Sequence, residues 1–229
     1  MARQPRLIVI AGPNGSGKTT LTRLLQAQGL EFGEYINPDD IAASLRGSYQ
    51  DRVRAAQQIS DEKRDECIAS RRDFAFETVM SHPSKIEVMR RARVAGFHVT
   101  LFFVGTEDPR INVARVEARV RLGGHSVPEA LVVARYHRTM NALAAATATA
   151  NRTVVFDNSR TDLDNGLRAL LELCCDDSGD RKASKWIRSS SVLWALQSDK
   201  VPGWIKTYLL EPLRLDPDPP LIEGCWHRL

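Results

Sequence analysis

The chain has 229 residues, 43% hydrophobic and 26% charged, with 32 Lys and Arg against 28 Asp and Glu for a formal net charge of +4. That length and composition suit one globular α/β domain with appendages, with core enough to need no disulfide or metal staple. The longest apolar runs, residues 7–10 and 99–104, are too short for a bilayer, no signal-peptide pattern precedes them, and Cys67, Cys174, Cys175 and Cys225 show no metal-ligand spacing; a cytoplasmic protein with no membrane association is expected.

In chain order, residues 7–11 (Leu-Ile-Val-Ile-Ala) form a short apolar run of the kind buried in a parallel sheet. Residues 19–28 carry Leu21, Leu24 and Leu25 at helical spacing and stop near Gly29. A weak strand at 34–36 leads into a polar turn at 37–40, and residues 52–71 read as a charged helix. The segment 74–76 leads into Glu77, residues 98–104 are the clearest inner strand, and 153–156 form the last one before Asp157, Asn158 and Ser159. Five strands separated by helices predict a five-stranded parallel sheet flanked by helices.

Residues 12–19, Gly-Pro-Asn-Gly-Ser-Gly-Lys-Thr, match the phosphate-loop pattern G-x-x-x-x-G-K-[ST] without a mismatch, between a strand and a helix. Its glycines let backbone N–H groups converge on phosphate oxygens, and the following helix adds its positive end. Gly12, Pro13, Asn14, Gly15, Ser16, Gly17, Lys18, Thr19 and Thr20 are therefore the expected ATP contacts, with Lys18 on the β- and γ-phosphates and the Thr19 hydroxyl on Mg²⁺. The bland alternative is a glycine-rich turn that happens to carry a lysine.

Ligands of such sheets lie beyond the carboxyl ends of the strands, where Asp39, Asp40 and Glu77 fall. Phosphoryl transfer to a hydroxyl needs a carboxylate that accepts the proton. Asp39 is the expected base, and Asp40 fits a helix N-cap. Glu77 positions either the acceptor or a metal-bound water, with Thr78 beside it as a substrate contact.

From Arg110 to Arg138 there are six arginines against Glu117 and Glu129, a local surplus equal to the whole chain's net charge. A surplus so confined suits a small polyanion better than a nucleic acid. Arg115 and Arg119, four apart, share a helix face. Gly123, Gly124 and His125 break that helix, and Pro128 opens the next, which carries Arg135 and Arg138. Two such helices describe a lid over residues 110–140 whose arginines stabilise charge on a transferring group; the alternative is a solvated helical face. His125 has no second His or Cys at ligand spacing.

Residues 1–175 are read as the catalytic domain and 176–229 as an appendage or tail. The string 176–184 resembles a linker, and Trp186, Trp194, Trp204 and Trp226 all lie beyond it.

Together these residues resemble the zeta toxin family of P-loop kinases over residues 5–160. The resemblance rests on the loop 12–19, the turn Ile36-Asn37-Pro38-Asp39, Phe76-Glu77-Thr78, and residues 115–128, where Arg115 and Arg119 precede Gly-Gly-His-Ser-Val-Pro. It implies ATP-dependent phosphorylation of a sugar hydroxyl, UDP-N-acetylglucosamine or a related UDP-sugar, and a small antitoxin protein as partner. By matching position it implies Lys18 and Thr19 for phosphate and Mg²⁺, Asp39 as base, and Arg115, Arg119 and Arg135 as lid cations. The chain departs from the family at Val79, where many members carry a threonine, and at Ala134, where an arginine often stands. A kinase for another acceptor, or an ATP-gated binding module, are the competing readings.

Overall fold

The computed structural model describes residues 3–123, 126–159, 168–174, 192–194 and 201–215. The strands are β1 (Arg6–Ala11), β2 (Glu34–Ile36), β3 (Phe74–Thr78), β4 (His98–Gly105), β5 (Arg152–Asp157), β6 (Arg168–Cys174) and β7 (Val192–Trp194). The helices are α1 (Lys18–Ala27), α2 (Pro38–Ser44), α3 (Tyr49–Ala69), α4 (Ser84–Val94), α5 (Pro109–Arg121), α6 (Glu129–Thr149) and a last turn α7 (Gly203–Ile205), which runs on as a π-helical turn over Lys206–Leu210.

One sheet has the order β2-β3-β1-β4-β5-β6-β7. Its first five strands are parallel, as the alternation of strands and helices predicts. The last two add an antiparallel edge that the sequence does not announce. Residues 169–173, Ala-Leu-Leu-Glu-Leu, are good helix formers, and pairing with the open edge of β5 overrides that preference.

Alternation along the strands sorts their side chains onto two faces. Leu7, Val9, Phe74, Phe76, Val99, Leu101 and Phe103 join one buried cluster with Val88, Met89, Tyr136, Met140 and Leu143 of α4 and α6. Ile8, Ile10, Ala75, Phe102, Val104, Val154 and Phe156 join the other, with Leu21 and Leu25 of α1. Both faces are covered, which is why these strands read as unbroken apolar runs.

Trp204, Ile205, Leu209 and Leu210 are buried in the first cluster, so the described part of the C-terminal segment packs into the core. A Cβ at Gly105 would lie 2.3 Å from the Trp204 indole; only glycine lets it seat there. Gly124 and His125 of the expected hinge, the 176–184 linker, Trp186 and Trp226 lie outside the described residues. Among those described, no helix is long and apolar enough to cross a membrane.

Candidate active site at the carboxyl edge of the sheet

β1 ends at Ala11, and the chain turns through residues 12–17 into α1. Gly12, Gly15 and Gly17 hold φ of 149°, 72° and 103°, angles that L side chains rarely adopt. Space enforces the same choice: a Cβ on Gly12 would lie 2.2 Å from the Val104 carbonyl oxygen, and one on Gly15 2.7 Å from that of Asn112. The loop is thus pressed between β4 and α5, and it delivers the first-turn N–H groups of α1, which have no partner within their own helix. Ser16 Oγ, at the same turn, is buried without a partner among the described residues.

Lys18 folds back over the loop, its Nζ donating to the Gly12 and Pro13 carbonyl oxygens at 2.9 Å each. Burial pushes its pKa down to about 8; Glu77 and Asp39 oppose that shift and Arg119 adds to it. Three of the charged residues singled out by sequence therefore act on Lys18 through space.

Glu77 sits at the centre of a hydroxyl cluster. Its Oε1 accepts from Thr22 Oγ1 at 2.5 Å, and its Oε2 lies 3.4 Å from Thr19 Oγ1. The Tyr35 phenol lies near enough to feel it: burial, then Glu77, raise the phenol's pKa well above its ordinary value. Parallel pairing of β3 with β1 makes the meeting possible, since it sets Glu77 opposite Ile10 and Thr78 opposite Ala11, level with the start of the loop.

Asp39 and Asp40 are exposed in the first turn of α2. The N-cap is Asn37, not Asp40: Asn37 Oδ1 accepts from Asp39 N at 3.0 Å, and Pro38 takes the first helical position, where its missing N–H costs nothing. What reads in sequence as a polar turn is a cap followed by a helical turn.

Arg115 and Arg119 divide their surroundings. Arg115 Nη1 donates to the Asn158 carbonyl oxygen at 2.8 Å, and burial lowers its pKa against the pull of Asp157. Arg119, one turn on, is exposed and close enough to influence Lys18. Arg135 lies half-buried on α6, with no hydrogen bond or ion pair to the loop among the described residues. Thr78 turns its hydroxyl to the Met80 N–H at 2.9 Å, holding that residue at φ 56°, and the Val79 carbonyl accepts from Thr139 at 2.7 Å. Thr20 is exposed on α1.

Apart from Asn158, in the run 157–159 that follows the last predicted strand, other members of the cluster are not singled out by the motifs. Asn112 Nδ2 donates to the Asn14 carbonyl at 2.6 Å, and Thr106 donates to its Oδ1. Asn158 Nδ2 donates to the Ser16 carbonyl at 2.8 Å. Thr22 has a local signal, four residues after Lys18 on the same face of α1. Asn112 and Tyr35 have none.

The family model for zeta toxin matches residues 1–166. A protein of Haemophilus influenzae, described only as uncharacterized, is 33% identical over 137 residues, 58% of this chain and 94% of its own. Among solved structures, a chain of the AvrRxo1-ORF1:AvrRxo1-ORF2 complex with sulphate ions superposes with a TM-score of 0.58 at 15% identity, over 75% of this chain and 59% of that one. The same pair crystallised with ATP gives 0.55 at 14% identity, over 75% and 59%. A chain from the PezAT chromosomal toxin–antitoxin system of Streptococcus pneumoniae gives 0.52 at 15% identity, over 71% and 72%. At such identities the shared property is the fold. The present chain spans about three fifths of the AvrRxo1 chain it matches.

Proposed function

The chain belongs to the zeta toxin family, and on that premise we propose that it transfers the γ-phosphoryl group of ATP to a sugar hydroxyl, with UDP-N-acetylglucosamine as acceptor. The observation that carries the reading is the glycine loop over which Lys18 folds back, with Glu77 in reach of the Thr19 hydroxyl beside it. A loop with glycine-only geometry, an unpartnered Ser16 hydroxyl and a helix N-terminus fits a polyphosphate.

In this reading Lys18 leaves the Gly12 and Pro13 carbonyls for the β- and γ-phosphates, and the α1 N-terminus holds the phosphate oxygens. Thr19, with Glu77 behind it, would hold Mg²⁺, whose charge would offset that of the phosphates. Asp39 accepts the proton of the acceptor hydroxyl as its oxygen bonds the γ-phosphorus. The bond from that phosphorus to the bridging oxygen breaks, and ADP leaves with its electrons. Arg115 and Arg119 spread the charge of the transferring group. Arg135 joins them only if α5 and α6 close further over the loop, since no bond ties it there in the present arrangement.

An antitoxin partner belongs to the same reading, supported by family membership and by the likeness to the PezAT chain. An acceptor other than a UDP-sugar is favoured by one feature: Val79 offers no hydroxyl where many family members do, and the Thr78 hydroxyl is occupied by the Met80 N–H.

The test is incubation with ATP, Mg²⁺ and UDP-N-acetylglucosamine, watching for a mass gain of about 80 Da on the acceptor, one phosphoryl group. Asp39→Asn should lower that rate by about 10²–10⁴-fold with nucleotide affinity unchanged, the range for a positioned general base. Turnover retained in Asp39→Asn would remove Asp39 from this role; a mass gain on other sugars alone would reassign the acceptor.

A further inference from the structure

Two asparagine side chains reach the phosphate loop from different parts of the fold, and each ends on a loop carbonyl. Asn112, on α5, donates from Nδ2 to the Asn14 carbonyl oxygen at 2.6 Å. Asn158, just after β5, donates from Nδ2 to the Ser16 carbonyl oxygen at 2.8 Å. A carbonyl oxygen can only accept, so in both cases the amide nitrogen faces the loop. The two carbonyls alternate along the chain, with Gly15 after the first and Gly17 after the second.

Asn112 is fully buried, a place that an apolar side chain would fill without needing partners. Its carboxamide recovers its lost hydration through the loop and through a buried chain of groups. Asn112 Oδ1 accepts from the Thr106 hydroxyl, and the Thr106 carbonyl accepts from the Tyr136 phenol of α6 at 2.6 Å. Asn158 is gripped through its backbone as well. Its N–H donates to the Gly105 carbonyl oxygen at 2.9 Å, and its own carbonyl accepts from Arg115 at 2.8 Å. Both side chains are therefore fixed in place where they meet the loop.

What a held carbonyl does to the loop follows from the planarity of the peptide. In a trans peptide the C=O and the next residue's N–H point in opposite directions, and the loop contains no cis bond. Turning the Asn14 carbonyl toward Asn112 sends the Gly15 N–H the other way. Turning the Ser16 carbonyl toward Asn158 does the same for the Gly17 N–H. Neither N–H donates to another group among the described residues. Gly15 and Gly17 both hold positive φ, the kind of backbone that gathers N–H groups into an anion-binding concavity.

We propose that Asn112 and Asn158 are positioning residues for the nucleotide: each turns one loop carbonyl outward, so that the Gly15 and Gly17 N–H groups are already aimed when the phosphates arrive. This rests on the loop being a nucleotide site, and not on which acceptor receives the phosphoryl group. Lys18 does not do the same job, because in that site it exchanges the Gly12 and Pro13 carbonyls for phosphate. The asparagine bonds lie on the other side of the peptide planes, where no ligand atom replaces them, so they persist in the complex. Without them the two peptides are free to rotate. A rotated peptide presents its carbonyl oxygen to the phosphate in place of its N–H, and an attraction becomes a repulsion.

The experiment measures calorimetric binding of ADP and of AMP to the full chain in the wild type, Asn112→Ala, Asn158→Ala and Tyr136→Phe. A phosphate loop cradles the β-phosphate, so the preference for ADP over AMP reads the N–H groups. A lesion that merely reduces the folded fraction lowers both apparent affinities together and leaves the preference where it was. The preference should fall by about tenfold in each asparagine variant, the scale of one charge-assisted hydrogen bond. Tyr136→Phe is the control, since it removes a bond of the same buried chain without touching the loop. It should lower the melting temperature and keep the preference intact.

A preference that falls in both asparagine variants and not in Tyr136→Phe supports the assignment. An unchanged preference in both overturns it, whatever happens to their melting temperatures. An equal loss in Tyr136→Phe overturns it too, because the chain would then act through packing. If Asn112→Ala does not fold, Asn158→Ala decides alone, since that side chain is only half-buried. A wild type that does not bind ADP overturns it together with the nucleotide reading of the loop. Absence of phosphoryl transfer to any acceptor would sink the kinase reading alone, because none of these measurements uses turnover.

Discussion

The phosphate loop and the C-terminal segment 201–215 approach the same three residues from opposite ends of the chain. Asn158 donates to Ser16 of the loop, and Asp157 accepts from the Trp204 indole N–H at 3.0 Å. Ser159 donates to Asp157 and accepts from the Glu107 N–H. One region is eight consecutive residues with a chemical pattern; the other is a short apolar turn with none. Only the first lies within the 1–166 family match. The difference separates two ways of building a site: the loop supplies groups that meet the ligand, and the segment supplies packing that holds the end of β5 where those groups need it.

Substitution should split the two. Trp204→Ala removes a buried indole that packs on Phe103 and fills the space above Gly105. A loss of about 3–5 kcal/mol in stability is expected, the range for large-to-small changes of aromatic core residues. Trp204→Phe keeps most of the ring and removes the bond to Asp157. It should cost about 1 kcal/mol, with a drift in KM for ATP as the Asp157–Ser159 turn loosens. Urea unfolding and steady-state kinetics read the two effects separately. If Trp204→Ala melts like the wild type, the segment is not part of the core and the comparison collapses.

Lys18→Ala is the opposite case. The side chain lies on two loop carbonyls that solvent can satisfy, so melting should hardly change. Phosphoryl transfer should fall by about 10²–10³-fold, as for other single charge-stabilising groups. A variant that lost stability instead would mean that the lysine chiefly holds the loop together.

How much of this was legible beforehand follows the same division. The loop, Lys18, Thr19 and the parallel order of the first five strands are readable because phosphate binding demands consecutive residues and buried strands demand apolar runs. Glu77 and Asp39 are readable as acids at strand ends, although the cap belongs to Asn37 because proline fixes where the helix starts. Asn112, Tyr35 and Trp204 are not, since each reaches the site through tertiary packing and each is, by itself, an ordinary side chain. The strand state of 168–174 is hidden for a related reason: its own preferences point to helix, and the partner edge decides.

The finest separation between the two regions comes from pH. Free Lys18 titrates near 8, chiefly because the loop buries it. Nucleotide phosphates favour its charged form, so its pKa in the complex lies above that of the free protein, and binding takes up a proton wherever free Lys18 is partly neutral. Affinity should be nearly flat below pH 8. Above it, affinity should fall toward a limit of about tenfold per pH unit until the pKa of the complex is reached. Calorimetry in two buffers of different ionisation enthalpy counts the proton directly. Lys18→Arg should flatten the profile, since a guanidinium stays charged throughout. Glu77→Gln should move the break to lower pH, because the carboxylate is the largest influence holding the lysine's pKa up. Trp204→Phe should leave the break in place, for the segment touches the turn beside the loop and not the charge within it. A break that followed Trp204 rather than Glu77 would mean that the two regions share one electrostatic unit after all.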